Sequence, residues 1–310
     1  MAINSLIRFL DLYKIGYSKD YSTSNLTSLE VGGSAKLVTF PNNIENLCEV
    51  ALFCYKNNIK FDVIGNGTNT FFCDSGYEGV IISTKFLDKI EARNDTIVAE
   101  CGALVTDCAI KAMVNCLCGI EFLCGIPGSV GGAVTMNASA YEMDISNVIQ
   151  KSKIINLSNG NIKTIECSEH KFNKKHSIFS QNKDLILLST EFILKPSNNK
   201  DDIYSKLIEI AKKRITTQPL NMPSCGSAFK RPVGSYASKL IDLANLKGFT
   251  VGGAQISNKH AGFLINFNNA SSQNILDLIE QTKNKIFNNF EVKLEEEILL
   301  LKWGKNGVIF

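Results

Sequence analysis

The segment Gly125-Ile126-Pro127-Gly128-Ser129-Val130-Gly131-Gly132 has four glycines in eight residues, and no other stretch of the chain is as rich in them. Glycine leaves backbone N–H groups uncovered and lets another surface approach closely, while Pro127 stiffens the turn. Successive exposed N–H groups form a nest that suits the oxygens of a phosphate or pyrophosphate. A tight connection between two packed strands would use the same residues, so this segment alone leaves both interpretations open.

A second glycine-rich segment, Gly65-Asn66-Gly67-Thr68-Asn69, follows directly after the apolar sequence Phe61-Asp62-Val63-Ile64. The apolar run predicts a short buried strand, and a strand followed by such a loop is the arrangement that a phosphate site needs. No Gly-Lys-Ser/Thr follows, which excludes a Walker loop, and no helical pattern starts there, which excludes the dinucleotide G-x-G-x-x-G motif. An ordinary turn remains the alternative.

Composition places the chain among globular proteins. Its 310 residues suffice for two or three domains, and 45% are apolar and 20% charged. The net charge of +3 is small and scattered, so no nucleic-acid surface is expected. No apolar run approaches the roughly 20 residues that cross a bilayer, and charges at Arg8, Asp11 and Lys14 argue against a signal peptide. We therefore expect a cytoplasmic protein without membrane insertion.

The ten cysteines show no paired metal-binding spacing, and only three histidines are present. We expect buried thiols in a reducing compartment, without a disulfide framework and without a metal site.

Hydrophobic periodicity gives the order of elements. It predicts helices over residues 1–16, 44–57, 105–117, 201–214, 236–244 and 272–289. It predicts strands over residues 36–40, 61–64, 71–73, 80–83, 96–99, 152–157, 161–165, 184–194, 263–267 and 292–303. The polar residues 17–27 predict a loop, Asn159-Gly160 a hairpin turn and residues 195–200 a linker.

Four further segments carry side chains that could act in catalysis or ligand binding. Ser227 lies in a turn of small residues before Lys230, where it can donate a proton or simply bond the turn backbone. Leu294-Glu295-Glu296-Glu297 predicts a strand with Glu295 and Glu297 on one face, equally suited to a solvated edge. Lys174-Lys175-His176 suits a solvated basic turn, and His260 a structural histidine before a strand.

Together these segments resemble one enzyme family. The two glycine-rich loops, Gln218-Pro219-Leu220, Gly226-Ser227-Ala228-Phe229-Lys230, Gly252-Gly253-Ala254-Gln255-Ile256-Ser257 and Leu294-Glu295-Glu296-Glu297 occur in the order found in UDP-N-acetylenolpyruvoylglucosamine reductases. The chain is similar to the shorter type, which lacks an extra substrate-capping loop. The resemblance spans about Thr27 to Glu297.

The resemblance implies an α+β protein, with an FAD-binding fold of the vanillyl-alcohol-oxidase/p-cresol-methylhydroxylase type and a C-terminal α/β substrate domain. It implies an N-terminal helix and loop over residues 1–26 and an FAD-binding region over 27–198, with subdomains 27–85 and 86–198. A substrate domain over 201–290 and a C-terminal strand returning to the active site over 291–310 would follow.

The resemblance also implies an oxidoreductase reaction in peptidoglycan synthesis. NADPH would reduce FAD, and the flavin would return hydride to C3 of UDP-N-acetylglucosamine enolpyruvate, with protonation at C2 giving UDP-N-acetylmuramate. The implied catalytic residues are Ser227, as proton donor, Glu297 and Lys175. The implied FAD-binding residues are Gly65, Asn66, Gly67, Thr68, Asn69, Pro127, Gly128, Ser129, Gly131, Gly132, Ala138, Ser139 and Tyr141. The implied substrate-binding residues are Gln218, Lys230, Arg231 and His260.

The chain departs from the family pattern at one catalytic position. Family members usually carry Tyr-Arg where this chain has Lys174-Lys175. Lysine keeps the positive charge but lacks the planar bidentate fork of arginine. This difference leaves two alternatives to an active reductase: a flavoprotein that binds FAD or a UDP-sugar without turnover, and an oxidase of the same fold acting on another substrate.

Overall fold

The computed structural model describes residues 2–301. Within them the chain divides into two compact units that alternate along the sequence. The first unit comprises residues 2–18, Leu37–Asn66 and Gly79–Lys212, and the second comprises Lys19–Lys36, Gly67–Glu78 and residues 213–301. The domains expected from the sequence are continuous stretches, whereas these units are interleaved along the chain. The expected domain bounds therefore stay a prediction. Residues 302–310 of the expected C-terminal region, including Trp303, lie outside the described residues.

All six predicted helices are present, some with shorter bounds, together with two short helices that were not predicted. Their bounds are α1 (Ala2–Leu12), α2 (Ile44–Lys56), α3 (Val105–Val114), α4 (Val130–Thr135), α5 (Ile178–Gln181), α6 (Lys200–Thr217), α7 (Ala237–Leu243) and α8 (Ser272–Phe290). Short 3₁₀ turns lie at Thr23–Leu26, Glu121–Leu123, Ile145–Asn147 and Cys167–His170.

The described strands include every strand that the periodicity predicted before residue 290. Their bounds are β1 (Gly16–Ser22), β2 (Ser34–Phe40), β3 (Phe61–Ile64), β4 (Thr70–Phe72), β5 (Tyr77–Ser83), β6 (Ile90–Arg93), β7 (Thr96–Glu100), β8 (Leu117–Cys118), β9 (Ser139–Ala140), β10 (Met143–Asp144), β11 (Ile149–Asn156), β12 (Asn161–Glu166), β13 (Leu185–Ile193), β14 (Lys195–Pro196), β15 (Ser224–Ser227), β16 (Thr250–Val251), β17 (Ala254–Ile256), β18 (Phe263–Asn266) and β19 (Leu299–Leu301).

Two sheets lie wholly or partly in the first unit. One has the strand order β1-β2-β5-β3, with β3 and β5 parallel, and the other is an antiparallel sheet of order β12-β11-β13-β7-β6. The predicted Asn159-Gly160 hairpin joins β11 and β12, with Gly160 at φ +70°. Helix α1 buries Leu6 and Leu10, one helical turn apart, against the core of this unit.

The second unit contains an antiparallel sheet of order β15-β18-β17-β16 and a parallel pair, β19 with β4. Helix α8 begins after the N-cap Ser271, whose side chain accepts the Asn274 N–H, and it buries Ile275, Leu278, Ile279 and Ile286. These residues join a core separate from that of the first unit.

Three local predictions were wrong. Residues 17–27 form strand β1 and a 3₁₀ turn, because an exposed polar strand carries no hydrophobic alternation to reveal it. Helix α3 ends at Val114 because Cys116 adopts φ +56°, and residues 117–118 pair with β14. The predicted strand over 292–303 is regular only at Leu299–Leu301; Glu296 makes a single isolated bridge with Phe229.

Candidate active site

The two glycine-rich segments meet inside the first unit. The Asn66 side-chain amide donates to the Pro127 carbonyl at 2.6 Å. Gly65 lies so close to Ser129 that an added Cβ would collide with the serine Oγ. Ser129 is 1% exposed and caps helix α4, because its Oγ accepts the Gly132 N–H at 3.3 Å. The family resemblance implies that both loops hold one diphosphate, and the structure shows that they contact each other directly.

Beyond Asn66 the first segment continues into the second unit. Gly67 adopts φ +60°, and an added Cβ would collide with the Leu26 carbonyl, so only glycine fits there. The Ser28 N–H donates to the Gly67 carbonyl at 3.1 Å. Asn69 donates from Nδ2 to the Glu297 carbonyl at 2.9 Å.

The donor chemistry of these loops fits a dinucleotide diphosphate. Neither segment contains an acidic residue, and Asn66, Pro127 and Gly132 are exposed. Glycine-rich backbone without carboxylates favours anionic oxygens. Of the other expected FAD residues, Ala138 is buried, Ser139 lies on β9, and Tyr141 follows it at φ +53° with 41% of its surface exposed.

Ser227 and Glu297 lie on adjoining segments of the second unit. Ser227 ends β15, opposite Phe263 of β18, and is exposed. The next residue, Ala228, accepts the Glu297 N–H at its carbonyl at 2.8 Å. The Lys230 N–H donates to the Glu295 carbonyl at 2.8 Å, so residues 295–297 run along residues 228–230. The fold therefore places Ser227 and Glu297, which lie 70 residues apart in sequence, on adjoining segments.

Burial controls the ionisation of the thiol beside this pair. Cys225 is 1% exposed on β15. Desolvation raises the pKa of the Cys225 thiol to about 12, and the charge of Glu297 acts in the same direction. Cys225 is therefore a protonated packing residue rather than a nucleophile at neutral pH.

Lys175 lies on a tight turn of the first unit. Asn173 and His176 exchange main-chain hydrogen bonds of 3.0 and 3.2 Å, and Lys175 adopts φ +56°. The turn is tied to the region around α4, because Asn137 Nδ2 donates to the Asn173 carbonyl at 3.1 Å and Ser177 Oγ donates to the Thr135 carbonyl at 2.7 Å. Helix α4 thus has the glycine-rich loop at its start and the Lys175 turn at its end.

An open cavity of about 510 Å³ lies beside this turn. Its lining residues are Lys171, Asn173, Lys174, His176 and Gln181. Two lysines and no carboxylate line it, a charge balance that favours anions.

The four expected substrate residues are spread over the second unit. Lys230 pairs with Glu295 at 3.2 Å, and Arg231 lies over the Tyr236 ring at 3.9 Å from its centroid. Gln218 follows the end of α6, where its N–H donates to the Arg214 carbonyl at 2.8 Å.

His260 is held by its own turn. Its Nδ1 accepts the Gly262 N–H at 3.1 Å. Its ring packs edge-to-face against the Phe263 ring, with the two ring centroids 4.8 Å apart. Burial lowers the pKa of His260, with Lys247 acting in the same direction, which favours the neutral imidazole.

Two comparisons of sequence and one of structure place the chain among known proteins. A family profile described as "UDP-N-acetylenolpyruvoylglucosamine reductase, C-terminal domain" matches residues 218–301, and one described as "FAD binding domain" matches residues 35–166. UDP-N-acetylenolpyruvoylglucosamine reductase of Clostridium beijerinckii is 40% identical over 303 residues, covering 95% of this chain and 98% of the relative. The chain belongs to the UDP-N-acetylenolpyruvoylglucosamine reductase family.

Further relatives agree with this assignment. The reductase of Listeria welshimeri is 40% identical over 278 residues, covering 90% of this chain and 93% of the relative. The crystal structure of the Thermus caldophilus reductase matches with a TM-score of 0.77 at 27% identity, covering 92% of this chain and 98% of that one. The predicted fold class, with an FAD-binding fold and a C-terminal domain of this family of FAD-dependent oxidoreductases, is confirmed.

The family domains divide the expected site residues. The FAD-binding match contains both glycine-rich loops, and the C-terminal match contains Gln218, Ser227, His260 and Glu297. Lys175 lies in neither match. Within residues 2–301, no group of three or more His, Cys, Asp or Glu side chains is arranged to hold a metal ion. No helix described there is both long and apolar enough to span a membrane.

Sequence reasoning missed the residues that hold the Lys175 turn. Asn137 is 4% exposed at φ +45°, and its amide both donates to Asn173 and accepts from the Ser146 N–H at 3.3 Å. Asparagine tolerates the left-handed conformation better than other non-glycine residues. The sequence signal that could have revealed this contact is Asn137 itself, an asparagine that directly follows the apolar residues after the glycine-rich segment.

Proposed function

We propose that this chain reduces UDP-N-acetylglucosamine enolpyruvate to UDP-N-acetylmuramate for peptidoglycan synthesis in the cytoplasm, with NADPH as reductant. The observation that carries the proposal is the main-chain bond between Ala228 and Glu297, at 2.8 Å, in a chain of the reductase family. That bond holds the segment of Glu297 beside the segment that contains Ser227. Reduction of a carbon–carbon double bond needs a proton donor for one carbon, and Ser227 is our candidate.

FAD, when bound, supplies hydride exchange between NADPH and C3 of the enolpyruvyl group. Gly65, Asn66, Gly67, Thr68 and Asn69 would hold its diphosphate together with Pro127, Gly128, Ser129, Gly131 and Gly132. Ala138, Ser139 and Tyr141 would continue along the cofactor. The support is the acid-free, glycine-rich backbone and the Asn66-to-Pro127 bond that joins the two loops.

Ser227 donates its hydroxyl proton to C2 of the substrate in this proposal. Its place at the exposed end of β15, after a glycine whose added Cβ would meet no atom within 4 Å, leaves room for a ligand. Negative charge grows on the carboxylate side of the enolpyruvyl group as hydride arrives, and Glu297 and Lys175 would stabilise or polarise this enol. Lys175 contributes a full positive charge but a single-point contact.

Lys230, Arg231, Gln218 and His260 would bind the UDP part of the substrate. Lys230 and Arg231 supply positive charge for a diphosphate, and both are also engaged within the protein, with Glu295 and with the Tyr236 ring. Burial lowers the pKa of His260 and so favours the neutral imidazole, which suits a hydrogen bond to a neutral group of the nucleotide.

The two half-reactions test the proposal separately. The purified flavoprotein is reduced anaerobically with NADPH, and the enolpyruvyl sugar nucleotide is then added while flavin absorbance is followed. Rapid reoxidation, with UDP-N-acetylmuramate formed, is the expected result. NADH in place of NADPH tests the choice of reductant.

Two other results would contradict the reductase proposal. Flavin that stays reduced after substrate addition would indicate a binding protein without turnover, which the Lys174-Lys175 sequence makes the relevant alternative. Fast reoxidation by oxygen alone, with no response to the sugar nucleotide, would indicate an oxidase of the same fold.

A further inference from the structure

Both main-chain polar groups of Glu297 are hydrogen-bonded within the second unit. Its N–H donates to the Ala228 carbonyl at 2.8 Å, and its carbonyl accepts from Asn69 Nδ2 at 2.9 Å. The side chain of Asn69 therefore holds the Glu297 carbonyl.

Asn69 makes a second bond to the same segment. Its own carbonyl accepts the Leu299 N–H at 2.9 Å, so its two bonds flank Ile298, which is fully buried. The parallel pairing of β4 with β19 starts at the next residue, with Thr70 opposite Leu299. Asn69 thus lies at the point where the register of β19 is set.

Register matters here because Glu297 and Ile298 directly precede the paired strand β19. A slip of that pairing by one residue would move both residues from their present places. Ile298 is buried in the core of the second unit, and Glu297 is only half-buried. Fixing the main chain on both sides of Ile298 therefore fixes where the Glu297 carboxyl points.

We propose that Asn69 is a positioning residue for Glu297, acting through its side-chain amide on the Glu297 carbonyl. This inference rests on the proposed function, in which Glu297 takes part in reduction of the substrate. It gives Asn69 a role distinct from cofactor binding. A segment expected to hold the FAD diphosphate then also sets the position of a catalytic carboxyl.

The amide donor is what the proposed role requires. Asn69→Asp keeps the size and shape of the side chain but replaces the donor with a carboxylate that would face the Glu297 carbonyl. Asn69→Ala removes the bond without adding charge. A misplacement of about 1 Å at a reacting group can slow a step about 100-fold, so we expect both variants to slow substrate-driven reoxidation about 10- to 100-fold.

The half-reactions separate positioning from cofactor binding. In both variants, saturated with FAD, we expect reoxidation by substrate to slow about 10-fold or more relative to reduction by NADPH. Asn266→Ala is the control, because Asn266 Nδ2 makes the same kind of bond, to the Leu29 carbonyl at 3.2 Å. Equal slowing of both half-reactions in the FAD-saturated Asn69 variants would overturn the proposal.

A double-mutant cycle with Glu297→Gln tests whether the two residues act through one another. If Asn69 works by placing the Glu297 carboxyl, Asn69→Ala should add little further slowing once that carboxyl is gone. Effects that multiply would show that Asn69 acts independently of Glu297, against the proposal.

Amide hydrogen exchange gives a readout that needs neither cofactor nor turnover. Asn69→Ala should speed exchange at the Glu297 and Leu299 N–H groups, while Asn266→Ala leaves both at the wild-type rate. Unchanged exchange in Asn69→Ala would overturn the proposed hold on the main chain. The reductase proposal fails by a different result: in the wild-type protein, substrate would not reoxidise the reduced flavin.

Discussion

At the scale of single residues, one proposed catalytic side chain, Lys175, lies on a backbone conformation that non-glycine residues rarely adopt. Lys175 occupies the left-handed region at φ +56°, between two residues that exchange main-chain hydrogen bonds. A non-glycine residue there stores strain of order 1 kcal/mol, which persists only where surrounding bonds enforce it. The Asn137 and Ser177 bonds supply that enforcement.

The Ser227→Ala variant tests the proton donor. Without the hydroxyl, reduction by NADPH should be nearly unchanged, while reoxidation by substrate should slow about 100- to 10,000-fold, the range typical of a lost general acid. Stopped-flow absorbance of the flavin measures each half-reaction. Equal slowing of both would remove Ser227 from the donor role.

At the scale of elements, the close approach of the two glycine-rich loops is the decisive feature of the cofactor region. Ser129 takes part in it twice, by capping α4 and by packing against Gly65. The Asn66-to-Pro127 bond holds the same junction from the exposed side. A change at Gly65 therefore affects the loops and the start of α4 together.

Gly65→Ala should weaken FAD binding and lower the free energy of unfolding by about 1–3 kcal/mol, because overpacking at a tight contact shifts its neighbours. Thermal unfolding of the apoprotein and FAD titration by fluorescence measure the two effects. Gly16→Ala is the control, since its added Cβ would meet Phe40 at an ordinary 3.7 Å. Unchanged FAD affinity in Gly65→Ala would contradict a shared cradle.

At the scale of the whole molecule, the chain passes repeatedly between two units, each with its own core. Within residues 2–301, which contain all ten cysteines, no disulfide is formed, and seven of the cysteines are buried. Burial raises the thiol pKa to about 12 at Cys54, Cys101 and Cys108. These thiols act as small apolar packing groups.

A thiol titration with Ellman's reagent at pH 8 tests this packing. In the folded protein we expect rapid labelling only at the three partly exposed positions, Cys116, Cys118 and Cys167. Cys167 should react most slowly of the three, because desolvation raises its thiol pKa. All ten should react in guanidinium chloride. Rapid labelling of further thiols in the folded state would show that the cores open easily.

The sequence by itself determined the elements whose signals are local. Helices α1, α2 and α8 follow from apolar spacing, and the β11–β12 hairpin follows from Asn159-Gly160. Two glycine-rich loops and the order of the later segments sufficed to identify the family. These signals need only the geometry of one helix, one strand or one turn.

Only the tertiary structure decided which of these segments meet. Strand β1 and the irregular residues 292–298 take their conformation from backbone partners far away in sequence, and no side-chain pattern encodes those partners. The main-chain bond between Ala228 and Glu297 is of this kind, and the side-chain contacts of Asn69 with Glu297 and of Ser129 with Gly65 likewise join residues far apart in sequence. A main-chain hydrogen bond is nearly independent of residue type, so the pairings that position the candidate site appear only once the chain has folded.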